Sequence, residues 1–267
     1  MAVQQSTYRG CLLGMAVGDA MGYTVDSRSW QEIREDYGPN GLLGYDLVNG
    51  YADVTSYTQI AAFTCNGLLF GLTRGQMTGK MAPFIKYIAL SSYEWAALQR
   101  AWGRPTKTYS WLGRREELCR RHCMDTRMLE TLNRKNLGTL ETPTNPHTGP
   151  HSLTAAIGVG LFFHEDRMDQ QEIDRLGAEA VALTHGSPHA SLTGGVLAHI
   201  ISRIAWDGER DLQRLVRETG AMLLRRFGRE YHQVQEICAL FKKMRTLARW
   251  RKPGREEELR QIGSETA

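Results

Sequence analysis

No apolar run in this 267-residue chain approaches the ~20 residues that a helix needs to cross a bilayer. The N-terminus, MAVQQSTYRG, lacks the basic start and apolar core of a secretory signal, so a cytoplasmic protein without membrane attachment is expected. Cysteine is scarce and odd in number. Cys11, Cys65, Cys119, Cys123 and Cys238 follow no disulfide-like rhythm and suit reduced thiols. No pair of alternating β-branched runs is joined by a two-residue turn, which argues against a sheet. Large net charge is also missing, at +4. The basic excess runs from Arg210 through Arg225-Arg226 and Lys242-Lys243 to Arg249-Trp250-Arg251-Lys252, but Glu230, Glu236 and Glu256-Glu257-Glu258 interleave with it. That mixture at amphipathic spacing describes a solvated helix face rather than a nucleic-acid tract.

What is present is helical periodicity almost throughout. It predicts helices over 7–21, 57–73, 77–100, 124–135, 151–164, 170–184, 189–206, 210–227 and 230–248. In the first, Gly10, Gly14 and Gly18 would let another backbone come close. In the third, Ile85, Tyr87, Ile88, Leu90 and Trp95 form the apolar side. Starts are marked by Asp125 and by Ser187-Pro188, and stops by Arg74-Gly75, Gly208 and Pro253-Gly254. The longest irregular stretches, 23–54 and 136–150, are rich in Gly, Pro, Asn and Asp, and loops of that length are often functional. With no linker or repeat, residues 1–267 are expected to form a single compact helical domain. The motif Cys119-Arg120-Arg121-His122-Cys123 has i,i+4 thiols, yet structural zinc wants four ligands and no second pair is near. A basic helix with two partly buried thiols is the expectation there.

Four segments in order carry a resemblance. The first is Arg9-Gly10-Cys11-Leu12-Leu13-Gly14-Met15-Ala16-Val17-Gly18-Asp19-Ala20-Met21-Gly22; the second is Val54-Thr55-Ser56-Tyr57-Thr58-Gln59 with the helix after it. The third runs from Leu137-Gly138-Thr139 through Asn145 and Gly149 to Gly160-Leu161-Phe162, and the fourth is Ala182-Leu183-Thr184-His185-Gly186-Ser187-Pro188-His189-Ala190. Together they resemble the ADP-ribosylglycohydrolase family, which includes the dinitrogenase-reductase-activating glycohydrolases. The resemblance implies an all-α fold, a compact orthogonal multi-helix bundle. It also implies that the family's last helices, with their Asp-x-Asp-Thr motif, are lacking after Gln261-Ile262-Gly263-Ser264-Glu265-Thr266-Ala267.

The resemblance also distributes roles. The family's second segment reads Thr-Asp-Asp-Thr-Gln, and its two aspartates hold a pair of magnesium ions beside the ribose; here Ser56 and Tyr57 occupy those positions. A hydroxyl and a phenol are poor ligands for hard cations, so no metal cofactor is expected. Asp53 lies three residues upstream of the pair and is not assigned to it. Where the family places a cleft glutamate, this chain has Asp26, the candidate catalytic acid. Family members cradle a diphosphate with a glycine-rich loop; this chain keeps Asn145 and Gly149 but continues Pro150-His151-Ser152, with Thr154 and Ala155 beyond.

The candidate ligand-binding set is therefore Asp19, Thr55, Ser56, Tyr57, Asn145, Gly149, His151, Ser152 and His185. Asp19 is either a catalytic group or a holder of the helix end, and Thr55 is a candidate N-cap. His151 and His185 could contact a diphosphate or shuttle protons, while His185 could instead close a helix before Gly186. His147 and His189 are expected at the surface. The functional expectation is a catalytically impaired family member that binds an ADP-ribose-like nucleotide, an ADP-ribosylated protein or another partner in the family cleft. The alternative is an active hydrolase with a metal-independent mechanism built on Asp26 and a histidine.

Overall fold

The structure, a computed structural model, describes residues 5–100, 108–122, 125–164 and 167–248. Among them the backbone forms eleven α-helices and no strand. These are α1 (Gln5–Gly22), α2 (Trp30–Tyr37), α3 (Ser56–Thr78), α4 (Phe84–Arg100), α5 (Glu116–Cys119), α6 (Thr126–Asn133), α7 (Ala155–Phe162), α8 (Gln170–Ala182), α9 (Pro188–Trp206), α10 (Leu212–Arg226) and α11 (Gln233–Ala248). Two 3-10 turns, Trp111–Arg114 and His151–Thr154, join them. Among the described residues the sole extended pairing is a bridge between Val48 and Tyr51. No helix among the described residues is long and apolar enough to cross a membrane.

Local chemistry sets the helix ends. Thr55 caps α3 by accepting from the Tyr57 N–H, and α3 stops where Gly79 takes a left-handed φ of 66°. The expected stop at Arg74-Gly75 is corrected, since Gly75 stays helical against Met81. The next helix starts at Phe84 rather than 77, because Gly79 ends α3 and Pro83 holds its predecessor out of the helical region. Within the stretch read as irregular, α2 forms on a Ser29–Glu32 capping box and ends at Gly38. It buries no residue, so no apolar period announced it. Similar capping by Asp169 and Glu172 starts α8, and Pro188 opens α9 as expected. Pro253-Gly254, Glu256-Glu257-Glu258, Arg249-Trp250-Arg251-Lys252 and Gln261–Ala267 lie outside the described residues.

Two apolar clusters fill the interior. One gathers Phe63, Ile88, Trp95, Val159 and Ile173 from α3, α4, α7 and α8. The other joins Leu192, Met222, Leu223, Val234 and Ile237 from α9, α10 and α11. Trp95 is fully buried, and its indole N–H donates to Gln59 Oε1 at 2.9 Å, so its polar atom is not orphaned. Helices α8 and α9 meet backbone to backbone: a Cβ on Gly177 would lie 2.9 Å from the Gly194 carbonyl oxygen, and one on Gly194 would lie 2.7 Å from that of Gly177. The glycine ladder of α1 behaves differently from expectation. Nothing stands within 4 Å of a Cβ built on Gly10, Gly14 or Gly18, and Leu13 and Val17 of the same helix are exposed.

The Cys119–Cys123 motif is not a basic helix. Helix α5 ends at Cys119, and Arg120 is extended (φ −64°, ψ 147°). The segment is drawn out by tertiary partners: the Arg120 carbonyl accepts from the Gln59 and Gln99 amides, and the His122 carbonyl accepts from the Ser56 N–H. Cys123 lies outside the described residues.

Candidate functional site

The head of α3 is the first half of the site. Asp19, three residues before the end of α1, reaches across to it with both carboxylate oxygens. Oδ2 accepts from the Thr55 N–H (2.8 Å), the Thr58 N–H (3.1 Å) and the Thr58 hydroxyl (2.6 Å), and Oδ1 accepts from the Thr55 hydroxyl (2.6 Å). A helix start leaves backbone N–H groups without internal partners and favours negative charge. Asp19 meets both needs, and of its two sequence readings the geometry matches the holder of the helix end. Ser56 is buried, whereas Tyr57, the next residue, is half-buried and faces the second half of the site.

That second half comes from three other segments. Asp125 caps α6 by accepting from the N–H groups of Arg127 and Met128, and its other oxygen, Oδ2, lies 3.1 Å from His185 Nε2 and 3.7 Å from His151 Nδ1. His185 has no exposed surface, and its Nδ1 lies 3.1 Å from the Thr184 hydroxyl. With the Nε2 proton given to Asp125, Nδ1 is free to accept from Thr184, a pattern in which every polar atom is matched. The His185 N–H donates to the Val181 carbonyl in the last turn before Gly186, the helix-closing reading, while its side chain reaches Asp125.

Asn145 ties the two loops of this half together. Its amide donates to the Thr184 carbonyl, and its oxygen accepts from the N–H groups of His147 and Gly186. These bonds all lie within the protein's own loops. Gly149 lies directly over the polar centre. A Cβ there would come within 3.4 Å of His185 Nε2 and 3.5 Å of both Asp125 Oδ2 and His151 Nδ1. His151 then stacks on Tyr57, ring centroids 4.7 Å apart and planes 15° from parallel. This stack joins the two halves.

The electrostatics follow from burial among carboxylates. Burial, with the charges of Asp26, Asp19 and Asp125, pushes the Tyr57 phenol up to about 12, so it stays protonated and can donate. Burial holds His151 below the ordinary histidine range against the opposing pull of Asp125 and Asp26, so it is neutral at pH 7. For Asp125 burial would raise the carboxyl, but the hydrogen bonds it accepts from His185 and the Met128 N–H hold it well below the usual range. Several buried atoms find no hydrogen-bond partner among the described residues: Asp26 Oδ2, both ring nitrogens of His151, and the Ser152 hydroxyl. Such groups each cost about 1–3 kcal/mol unless a polar guest meets them.

Asp26, Tyr57, His151 and His185 therefore belong with Asp125 to one electrostatically coupled group, and Gly149 lies over it. Asp19, Thr55 and Asn145 frame it with internal bonds. Asp125 was missed as a site residue. Its sequence signal, one aspartate before a helical run, announces only the cap made by one of its two oxygens. Of the outer histidines, His189 is partly exposed and paired with Glu236, as expected for the surface. His147 is half-buried instead, with its ring centroid 6.1 Å from that of His185. Asp53 turns to Arg120 and His122, outside this group.

The polar centre thus lies where α3, α6 and the loop before α7 converge in an all-helical bundle. A sequence model described as ADP-ribosylglycohydrolase matches residues 2–266, and the chain belongs to that family. Membership implies ADP-ribosylated substrates in general. No curated protein and no solved structure matches the chain significantly.

Proposed function

We propose that this protein is an ADP-ribosylglycohydrolase family member that has lost metal-assisted hydrolysis and keeps the cleft as a binding site for an ADP-ribose-like nucleotide. One observation carries the first part. At the two positions where the family resemblance puts magnesium ligands stand a buried serine and a tyrosine whose phenol stays protonated and whose neighbour His151 is stacked on it. The remaining acids do not make up for them. Asp19 is saturated by donors from α3, and Asp125 is engaged by His185 and the start of α6. These donors do not fit a pair of hard cations, which need several free carboxylate oxygens.

The unmatched polar atoms of Asp26, His151 and Ser152 support the second part. Three carboxylates act on Tyr57, so the site favours hydroxyl donors such as a ribose over a bare phosphate. The planar Tyr57–His151 pair adds an apolar face for the sugar. Calorimetry with ADP-ribose, with and without magnesium, tests this alongside release of ADP-ribose from modified arginine and serine substrates. Binding that is indifferent to magnesium, without turnover, is expected. Magnesium-dependent turnover would overturn the proposal, and failure to bind would redirect the cleft to a protein partner.

A second reading has its own observation. Asp26, with one unmatched oxygen, acts by charge on His151, whose two ring nitrogens are also unmatched. An acid beside a neutral imidazole can perform acid–base hydrolysis without metal. Turnover in the presence of chelator, abolished by Asp26→Asn, would favour it.

A further inference from the structure

Away from Tyr57 and His151, the first half of α1 borders a cavity of about 430 Å³ that it shares with α7 and α9. Ligand pockets for drug-sized molecules start at about 300 Å³. None of the residues lining it belongs to the Tyr57–His151–Asp125 group.

The cavity exists because its two walls are held differently. Helices α7 and α9 are in close contact: a Cβ on Gly160 would lie 2.6 Å from the Ala198 carbonyl oxygen and 2.8 Å from Ile201 Cβ. Buried Leu161 and half-buried Ile201 and Ile204 thus form a fixed apolar floor. Helix α1 is tied down at two other places. Near its end Asp19 bonds to Thr55 and Thr58, and near its start Tyr8 meets Trp206 of α9 edge to face, ring centroids 6.3 Å apart. Between these ties Gly10 lines the cavity without a side chain, and a Cβ built on it meets nothing within 4 Å. The groove follows α1 from Ser6 to Cys11, about 8 Å of helix.

The sparse polar lining decides the ligand. Ser6 and Thr7 bring hydroxyls, and Arg210 is the one charged side chain. Its guanidinium has no ion pair among the described residues. The acids beside it in the chain are committed: Glu209 accepts from the N–H groups of Arg210 and Asp211 and pairs with Arg214, and Asp211 caps α10. One guanidinium next to an apolar floor matches a molecule with one anionic end and one apolar end. A carboxylate offers two oxygens to the planar fork of an arginine. A phosphate would bring further charge with no second cation in the lining to meet it.

We infer that this cavity binds a short aliphatic carboxylate, its chain over Leu161, Ile201 and Ile204 and its head on Arg210. Titrate the full chain with butyrate, hexanoate and octanoate, and with octan-1-ol and octylammonium as neutral and cationic counterparts. Full burial of a methylene strengthens binding about fourfold, so in a half-open groove each added methylene gives about twofold. Octanoate binds about fivefold more tightly than octanol and more tightly still than octylammonium, the size of one partly exposed charge contact. Arg210→Gln brings octanoate down to the level of octanol and leaves octanol unchanged. Gly10→Leu fills the groove and abolishes binding of both without lowering the unfolding midpoint, since the added side chain meets open space and leucine favours the helix. Tyr57→Ala leaves octanoate binding unaffected, which separates this site from the family cleft. The inference is overturned if octanoate does not bind at millimolar concentration, if affinity does not grow with chain length, or if octylammonium binds as tightly as octanoate. It is equally overturned if Arg210→Gln or Gly10→Leu leaves octanoate binding intact, or if Tyr57→Ala removes it.

Discussion

Replacing Asp19 by alanine should cost about 3 kcal/mol of stability, and replacing it by asparagine only about 1 kcal/mol. The carboxylate takes four hydrogen bonds, two from backbone N–H groups and two from threonine hydroxyls, at 2.6–3.1 Å. Hydrogen bonds to a charged group are worth about 1.5–3 kcal/mol each, but bonds to one shared acceptor do not add. Thr55 and Thr58 are only 1% and 8% exposed, so water replaces the lost acceptor poorly. Alanine also removes a negative charge from the start of α3, worth about 0.3–1 kcal/mol. Asparagine keeps one oxygen, which can serve the three donors now on Oδ2. Its amide then faces the Thr55 hydroxyl, which already accepts from the Tyr57 N–H and can accept again. One hydroxyl bond and the charge are lost, and the rest survives. Urea denaturation of the wild type and both variants gives the values from shifts in midpoint at constant slope. An alanine variant within about 0.5 kcal/mol of wild type would refute the reasoning. So would asparagine costing as much as alanine, because the hydrogen-bond inventory would then not be the cause.

Other consequences are as direct. Gly186→Ala would place a Cβ 2.2 Å from the Asn145 carbonyl oxygen, which is backbone and cannot swing aside; a loss of about 2–3 kcal/mol is expected by thermal or chemical denaturation. Gly149→Ala makes only ordinary contacts of 3.4 Å and more, so its stability should stay within about 0.5 kcal/mol of wild type. Asp125→Ala removes the α6 cap and leaves His185, fully buried, with Thr184 alone; about 3–5 kcal/mol should be lost, and a loss under about 1 kcal/mol would contradict the pairing described. For pH, His147 and His151 are both held below the ordinary histidine range, first by burial. The unfolded chain then binds protons that the folded chain refuses, so stability falls as pH drops through ~6.5 and levels off below the folded values. Asp125 opposes nothing in that window: its depressed carboxyl stabilises at all pH above ~3.9 and is lost only in stronger acid. Melting temperatures at pH 7.5 and 5.5 should differ in that direction, and His151→Phe should shrink the gap.

Most of the helices were legible, and the reason is visible in the ones that were not. Amphipathic α8 and α10 bury one side against neighbours, so their apolar period is printed in the chain. Helix α2 buries nothing and rests on a capping box inside a loop-like composition. The Arg120–His122 segment looked helical because basic residues favour helices locally. Its extended form is imposed by Gln59 and Gln99, which come from α3 and α4 and lie 61 and 21 residues away.

The candidate site divides in the same manner. Thr55 as a cap and Ser187-Pro188 as a helix start depend on bonds a few residues long, so the sequence by itself determined them, along with the all-α class and the family. Whether Asp19 is a holder, whether His185 turns inward and whether Asp125 matters at all depend on contacts 36 to 60 residues apart. Only the tertiary structure decided those. Periodicity and capping record how one element meets its surroundings, but a carboxylate has two oxygens and the chain order names no partner for the second. At Asp125 that second oxygen is the one that gathers His185 and His151 under Gly149.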